Sequence, residues 1–197
     1  MRNKIIALKL TFEYIRCFPH LMLYLFHRNR QIIHADVERW STLYSLKYRK
    51  SSALLYLLSF YPEFRNLFYS RVGSWKYFLN IICPKLSSLY IHTELIGSGF
   101  FIQHGFSTII VAKSIGENCW INQQVTIGFS NANEPPTIGN NVSISAGAKV
   151  VGNITIGNNV KIGANAVVMK NVPPNCTVVG IPARIVRLDG IRIDKEL

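Results

Sequence analysis

The chain has 197 residues, 49% of them apolar, which is enough for one domain or for a small domain joined to a second element. Its four cysteines (Cys17, Cys83, Cys119, Cys176) show neither zinc-ligand spacing nor the density of a disulfide scaffold, and its longest apolar runs, such as 53–60, are too short to span a bilayer. The formal net charge of +12 lies mostly in front: residues 1–90 carry 14 Lys/Arg against 4 Asp/Glu, whereas residues 91–197 carry 8 against 6.

Residues 3 to about 85 read as helices. Pro19 marks one start, Asp36 the cap of another and Pro62 a third start. The apolar positions here are unusually aromatic, among them Phe12, Phe18, Trp40, Tyr44, Tyr61, Phe64, Trp75 and Phe78. Two readings stand for this half. One is a bundle that packs on itself or on neighbouring subunits; the other is a basic, aromatic face lying on a membrane. No secretory leader is expected, because Lys9, Glu13 and Arg16 interrupt the apolar stretch from Ile5. The expected location is therefore the cytoplasm, with the inner membrane face as a place of contact. His20, His27 and His34 recur every seven residues, which is wider than helical metal ligands need, so they are read as coincidence or surface. No metal is expected anywhere. The basic half carries no nucleic-acid recognition motif either.

From Leu95 the period changes. Ile138, Ile144, Val150, Ile156, Ile162 and Val168 follow one another every six residues, and Val142, Ala148, Ile154, Val160 and Ala166 sit four places after most of them. The same phase runs earlier through Ile96, Ile102, Ile115, Ile121 and Ile127, with a one-residue slip after Ile102 and a five-residue slip after Ile127. Six is the repeat of a hexapeptide β-helix, in which each unit makes one short side of a triangular coil. The expected class is mainly β: a left-handed parallel β-helix over 91–197, preceded by an α-helical region over 1–90.

Three units close a coil, so residues eighteen apart stack. The residue two places after each inward one forms a column: His104, Gln123, Ala146, Ala164. Its small members leave a groove along a corner, and three coil steps cover roughly 15 Å, about the length of a pantetheine arm. His104 stands on an outward corner, is followed by Gly105 and heads this column. Neutral imidazole suits removal of a proton from an acceptor hydroxyl near pH 7. The second slip, 129–136, is a projecting loop whose Asn131, Asn133 and Glu134 are candidates for acceptor contact.

The segments Ile102-Gln103-His104-Gly105, Val125-Thr126-Ile127-Gly128, Pro136-Thr137-Ile138-Gly139, Gly147-Ala148-Lys149 and Gly180-Ile181-Pro182-Ala183-Arg184 resemble the serine acetyltransferase branch of the hexapeptide acyltransferases. His104-Gly105-Phe106 and the short 129–136 loop are most similar to exopolysaccharide acetyltransferases of the colanic-acid type. The resemblance implies acetyl-CoA as co-substrate, His104 as catalytic base, and acetyl-CoA contacts at Ala146, Ala164, Lys170 and Arg187. It also implies a homotrimer or a dimer of trimers, with sites shared between chains. Tyr90 and Gln103 stand where the serine enzymes carry aspartates, and Glu134-Pro135 where they carry an Arg-His pair. Without those counter-charges a free amino acid is poorly held, so Gln103, Gln123 and Glu134 are expected to meet a sugar hydroxyl, as on a lipid-linked saccharide. Serine O-acetylation is the alternative, with N-acetylation of an amino sugar and a catalytically silent scaffold behind it.

Overall fold

The computed structural model describes the backbone of residues 2–48, 50–130 and 134–197, and the side chains of 11–48, 51–130 and 134–197. Two compact units divide at residues 86 and 87.

The first unit holds α1 (Arg2–Phe26), α2 (Arg30–Leu43), α3 (Lys50–Phe60), α4 (Pro62–Arg71), a single 3-10 turn at Gly73–Trp75, and α5 (Lys76–Ile82). Pro62 opens α4 at its first turn, where a missing N–H costs nothing. The other two expected helix signals are corrected. Pro19 lies inside α1, and the carbonyl it leaves without an amide partner is that of Ile15, whose residue is largely exposed. Asp36 lies inside α2 and is buried, accepting hydrogen bonds from Arg71 Nε (2.9 Å) and Nη2 (3.3 Å). A partner 35 residues away is invisible to a local capping pattern.

The aromatic residues do pack on one another. Trp40 is fully buried, edge-on to Phe64 at 5.1 Å, while Tyr44 and Tyr61 lie 4.5 Å apart. Yet α1 also exposes Phe12, Ile15, Phe18, Met22 and Phe26 along one face. His20 is not a surface residue. It is fully buried, with Nε2 2.9 Å from the Tyr69 hydroxyl, which itself donates to the Cys83 carbonyl (2.6 Å). Burial, with Arg16 and Arg65 adding, holds its pKa down at about 4.

The second unit is a left-handed parallel β-helix. Its strands are β1 (Leu89–Ile91), β2 (Phe101–Ile102), β3 (Thr108–Ile110), β4 (Ser114–Ile115), β5 (Trp120–Ile121), β6 (Thr126–Gly128), β7 (Thr137–Ile138), β8 (Ser143–Ile144), β9 (Lys149–Val151), β10 (Thr155–Ile156), β11 (Lys161–Ile162), β12 (Val167–Val168), β13 (Cys176–Val179), β14 (Arg184–Leu188) and β15 (Ile191–Glu196). They form three faces: β1-β3-β6-β9-β12 (the first face), β4-β7-β10 (the second) and β2-β5-β8-β11-β13-β14-β15 (the third). Pairing is parallel through β13, after which β14 and β15 fold back antiparallel. The strand β1 pairs with β3 and spans the expected boundary at residue 90.

The six-residue period places Ile138, Ile144, Val150, Ile156, Ile162 and Val168 inward, none more than 2% exposed. Each such side chain contributes about 1.5–3 kcal/mol when removed from water. Between the second and third faces the corners are tight. The left-handed residues there are Asn118, Asn141, Asn159 and Asn175, at φ 56 to 60°. Asn141 donates to Asn159 (3.1 Å) and Asn159 to Asn175 (2.8 Å), so the corner side chains form a ladder. Just before these corners successive coils nearly touch: a Cβ on Gly116 would lie 2.6 Å from the carbonyl carbon of Gly139.

Candidate functional site

The candidate site is the corner between the third and first faces. Ile102 pairs with Ile121, Ile121 with Ile144 and Ile144 with Ile162, so His104, Gln123, Ala146 and Ala164 stack in that order. The corner at His104 is wider than those below it. From Ile102 to the next inward residue, Ile110, is eight positions, against six from Ile121 to Ile127. The following side is one residue short, which resolves the expected one-residue slip into a widening at His104 and a partial compensation after it.

This widened turn passes through left-handed backbone at His104 (φ 65°), Gly105 (φ 39°) and Ser107 (φ 52°). A non-glycine residue there is uncommon and holds the His104 side chain outward while Gly105 is buried. The Gln124 amide donates to the Phe106 carbonyl (3.0 Å), and the Thr108 hydroxyl donates to the same carbonyl (3.1 Å), so the turn is tied down on its far side. The His104 ring itself is exposed and has no hydrogen-bond partner among the described residues.

Below His104 the column narrows. The Gln123 Oε1 atom is buried and has no hydrogen-bond partner among the described residues. Ala146 is half-buried and Ala164 exposed. Gly147 beside Ala146 is left-handed (φ 76°), and a Cβ there would lie 2.0 Å from Asn165 Oδ1, so a side chain would strain the backbone and displace the Asn165 amide. Gln103 points to its own coil neighbour, accepting from Asn122 Nδ2 at 3.1 Å.

The basic residues divide between two surfaces. Lys170 lines an open groove of about 580 Å³ with Val167, Met169, the turn Gly180–Ala183 and Arg184. Arg187, three residues further along β14, lies away from this groove, paired with Thr177 and beside Lys161 and Asp189. The structure therefore does not bring Arg187 to Lys170; Arg184 takes that place, with Nε 2.7 Å from Asp194 Oδ1. A second basic residue overlooked in the sequence is Lys149, whose Nζ donates to the Gln124 carbonyl (2.7 Å) beside the column. In the sequence both read as ordinary solvated basic residues, and only the fold sets Lys149 beside the column and Arg184 in the Lys170 groove.

Glu134 stands at the next corner, one face away from His104 within the chain, with its carboxylate 3.6 Å from Lys113 Nζ. Asn131 and Asn133 lie outside the described residues. Tyr90 points outward on the first face opposite Ile109 and stacks on His92, ring centroids 6.5 Å apart. No cluster of three potential metal ligands occurs among the described residues.

An exposed imidazole stacked in one column with Gln123 and two alanines suits proton transfer beside an extended, thin ligand. Comparison with known proteins adds names to this geometry. Residues 135–170 match the family of bacterial transferase hexapeptide (six repeats). The serine acetyltransferase of Synechococcus elongatus is 42% identical over 154 residues, 71% of this chain and 63% of that protein. Among solved structures, soybean serine acetyltransferase superposes with a TM-score of 0.63 at 31% identity, covering 80% of this chain and 68% of that one. The serine acetyltransferase of Brucella abortus in complex with coenzyme A gives 0.65 at 29% identity, covering 84% and 70%. The chain spans between about half and two-thirds of the length of the curated relatives it matches.

Proposed function

The chain belongs to the hexapeptide-repeat acyltransferases, and from that premise we propose that it transfers the acetyl group of acetyl-CoA to the hydroxyl of serine, with His104 as general base. The observation that carries the reaction is the His104 corner: an exposed imidazole heading a column that runs through Gln123 to two alanines. Ala146 and Ala164 leave room for a pantetheine arm, and the groove carrying Lys170 and Arg184 suits the nucleotide phosphates. In this reading Ala146, Ala164 and Lys170 contact acetyl-CoA, and Arg184, rather than Arg187, is the second basic residue.

In the reaction, neutral His104 removes the acceptor's hydroxyl proton as the oxygen attacks the thioester carbonyl. The tetrahedral intermediate then expels the coenzyme A thiolate, which takes the proton back from the imidazolium. The acceptor assignment rests on relatives named serine acetyltransferase, and for that reason it displaces the expected sugar.

A sugar hydroxyl is retained as the second reading on a specific observation: the polar column residue beside His104 is Gln123, and Tyr90 and Gln103 offer no formal charge to an ammonium group. One experiment separates the two. Thiol release from acetyl-CoA is followed with serine and then with a panel of sugars, with His104→Ala as control. Serine-dependent release lost in His104→Ala supports the first reading; release with sugars alone replaces it by the second. No release with any acceptor overturns both.

The same reading includes a homotrimer or a dimer of trimers. Tyr90, Phe106, Ile109, Phe129 and Met169 are exposed apolar residues on the solenoid, and Glu134 stands one face away from His104 within its own chain. The mass in solution by light scattering tests it. Among the described residues no helix is long and apolar enough to cross a membrane. Peripheral contact through the apolar face of α1 would show as co-sedimentation with anionic liposomes.

A further inference from the structure

The four cysteines are far apart in the sequence, but the first unit brings two of them together. The Cys17 and Cys83 sulfurs, on α1 and at the end of α5, lie 3.4 Å apart and both residues are fully buried. Ser59 Oγ lies 3.8 Å from the Cys17 sulfur. The adjacent Arg16 is half-buried, and its Nε–H has no hydrogen-bond partner among the described residues. The Cys83 thiol's hydrogen bond, with Ser59 and Arg16 adding, lowers the Cys17 pKa against the opposing effects of burial and of Glu13. The Cys83 thiol is pushed up, chiefly by that same hydrogen bond and by burial. At this distance one sulfur, as thiolate, can attack and the other can follow as the resolving thiol.

We propose that Cys17 and Cys83 form a reversible dithiol–disulfide site, closed by exchange with a small-molecule disulfide and pinning α5 to α1. The Cys17 thiolate attacks one sulfur of the small disulfide, whose S–S bond breaks and releases one thiol. Cys83 then gives up its proton and attacks the Cys17 sulfur, breaking the mixed disulfide and releasing a second thiol. Two protein thiols are oxidised and one small disulfide is reduced to two thiols.

Access to the buried pair is through α5. It is seven residues long, and its one buried residue is Leu79, whereas Tyr77, Phe78 and Ile81 are exposed. So short an element, with one buried side chain and the Tyr69 hydroxyl on its last carbonyls, is the part of the unit whose local opening would expose the pair. The other two cysteines lack this arrangement. Cys119 and Cys176 share a column of the solenoid, but Val142 and Val160 lie between them. This inference is independent of the acetyl-transfer reading and its test uses no acetyl-CoA.

The full chain is equilibrated with mixtures of reduced and oxidised glutathione, alkylated under denaturing conditions and digested with trypsin without reduction. The expected result at the oxidised end is loss of two of the four alkylatable thiols, with peptide 17–28 linked to peptide 77–85. Cys119 and Cys176 remain alkylated. Reduced glutathione reverses the link. Cys83→Ala leaves Cys17 carrying glutathione, because no resolving thiol follows. Four alkylatable thiols at every ratio, or a link through Cys119 or Cys176, overturns the proposal. The mapping on the unaltered chain decides the matter even if Cys83→Ala does not fold.

Discussion

The two units of this molecule are built on opposite principles. In the solenoid, a residue's environment follows from its place in a six-residue count, and its neighbours in space lie a fixed number of positions away: Thr137 on Thr155, Ser143 on Lys161, Lys149 on Val167. In the helical unit, the decisive contacts are single and long-range: Asp36 with Arg71, His20 with Tyr69, Cys17 with Cys83. A repeated contact spreads stability over many equivalent positions and leaves an exposed corner free for chemistry. A unique contact concentrates stability in a few buried polar groups.

That contrast is testable first where it separates activity from stability. His104→Asn keeps a residue that tolerates left-handed backbone. It is expected to lower kcat by about 10²–10⁴-fold with the melting temperature unchanged, as read by thiol release and calorimetry. If the melting temperature falls as well, the corner is structural and the contrast fails. In the helical unit, Arg71→Met removes the guanidinium paired with buried Asp36 and should destabilise by about 3–5 kcal/mol in urea unfolding. The double variant Asp36→Leu with Arg71→Met should recover most of that loss.

The third effect depends on pH. His20 is held neutral in the folded state, at about 4 against 6.5 for the free group. Its contribution is therefore full above pH 6.5 and is lost as the pH falls through 6.5 towards 4, by at most about 3 kcal/mol. Chemical unfolding at several pH values should show that slope in the helical unit, and His20→Gln should flatten it. The smallest effect belongs to a repeated position. Gly116→Ala places a methyl group against the Gly139 backbone and should destabilise by about 1–3 kcal/mol, because the next coil has to shift. A loss as large as that of Arg71→Met would mean that the solenoid does not share strain between its coils.

The same contrast explains what was legible in the sequence. The inward set Ile138 to Val168 and the stacking of His104 over Gln123, Ala146 and Ala164 follow from counting, because strand pairing repeats the period. The count could not see that the slip at His104 is a widened left-handed turn, since eight residues and five sum to the same thirteen wherever the extra one is placed. Nor could it separate Arg184 from Arg187. That choice depends on where the chain turns back after β13, and both residues lie outside the hexad pattern. In the helical unit, Pro62 acted locally and was readable. Pro19 and Asp36 were misread because exposure of a single carbonyl and a charge 35 residues away decided their places.

The five-residue excursion at 129–136 has a consequence for how such a chain tolerates change. Ile115 pairs with Ile138, 23 residues on, while Ile138 pairs with Ile156, 18 residues on, and the strands on both sides of the excursion keep the same parallel register. Length added at this corner is therefore silent to the core, whereas a single residue added within a strand would turn every later inward side chain out. The coils on either side of this corner can therefore keep one core while the loop between them differs in length.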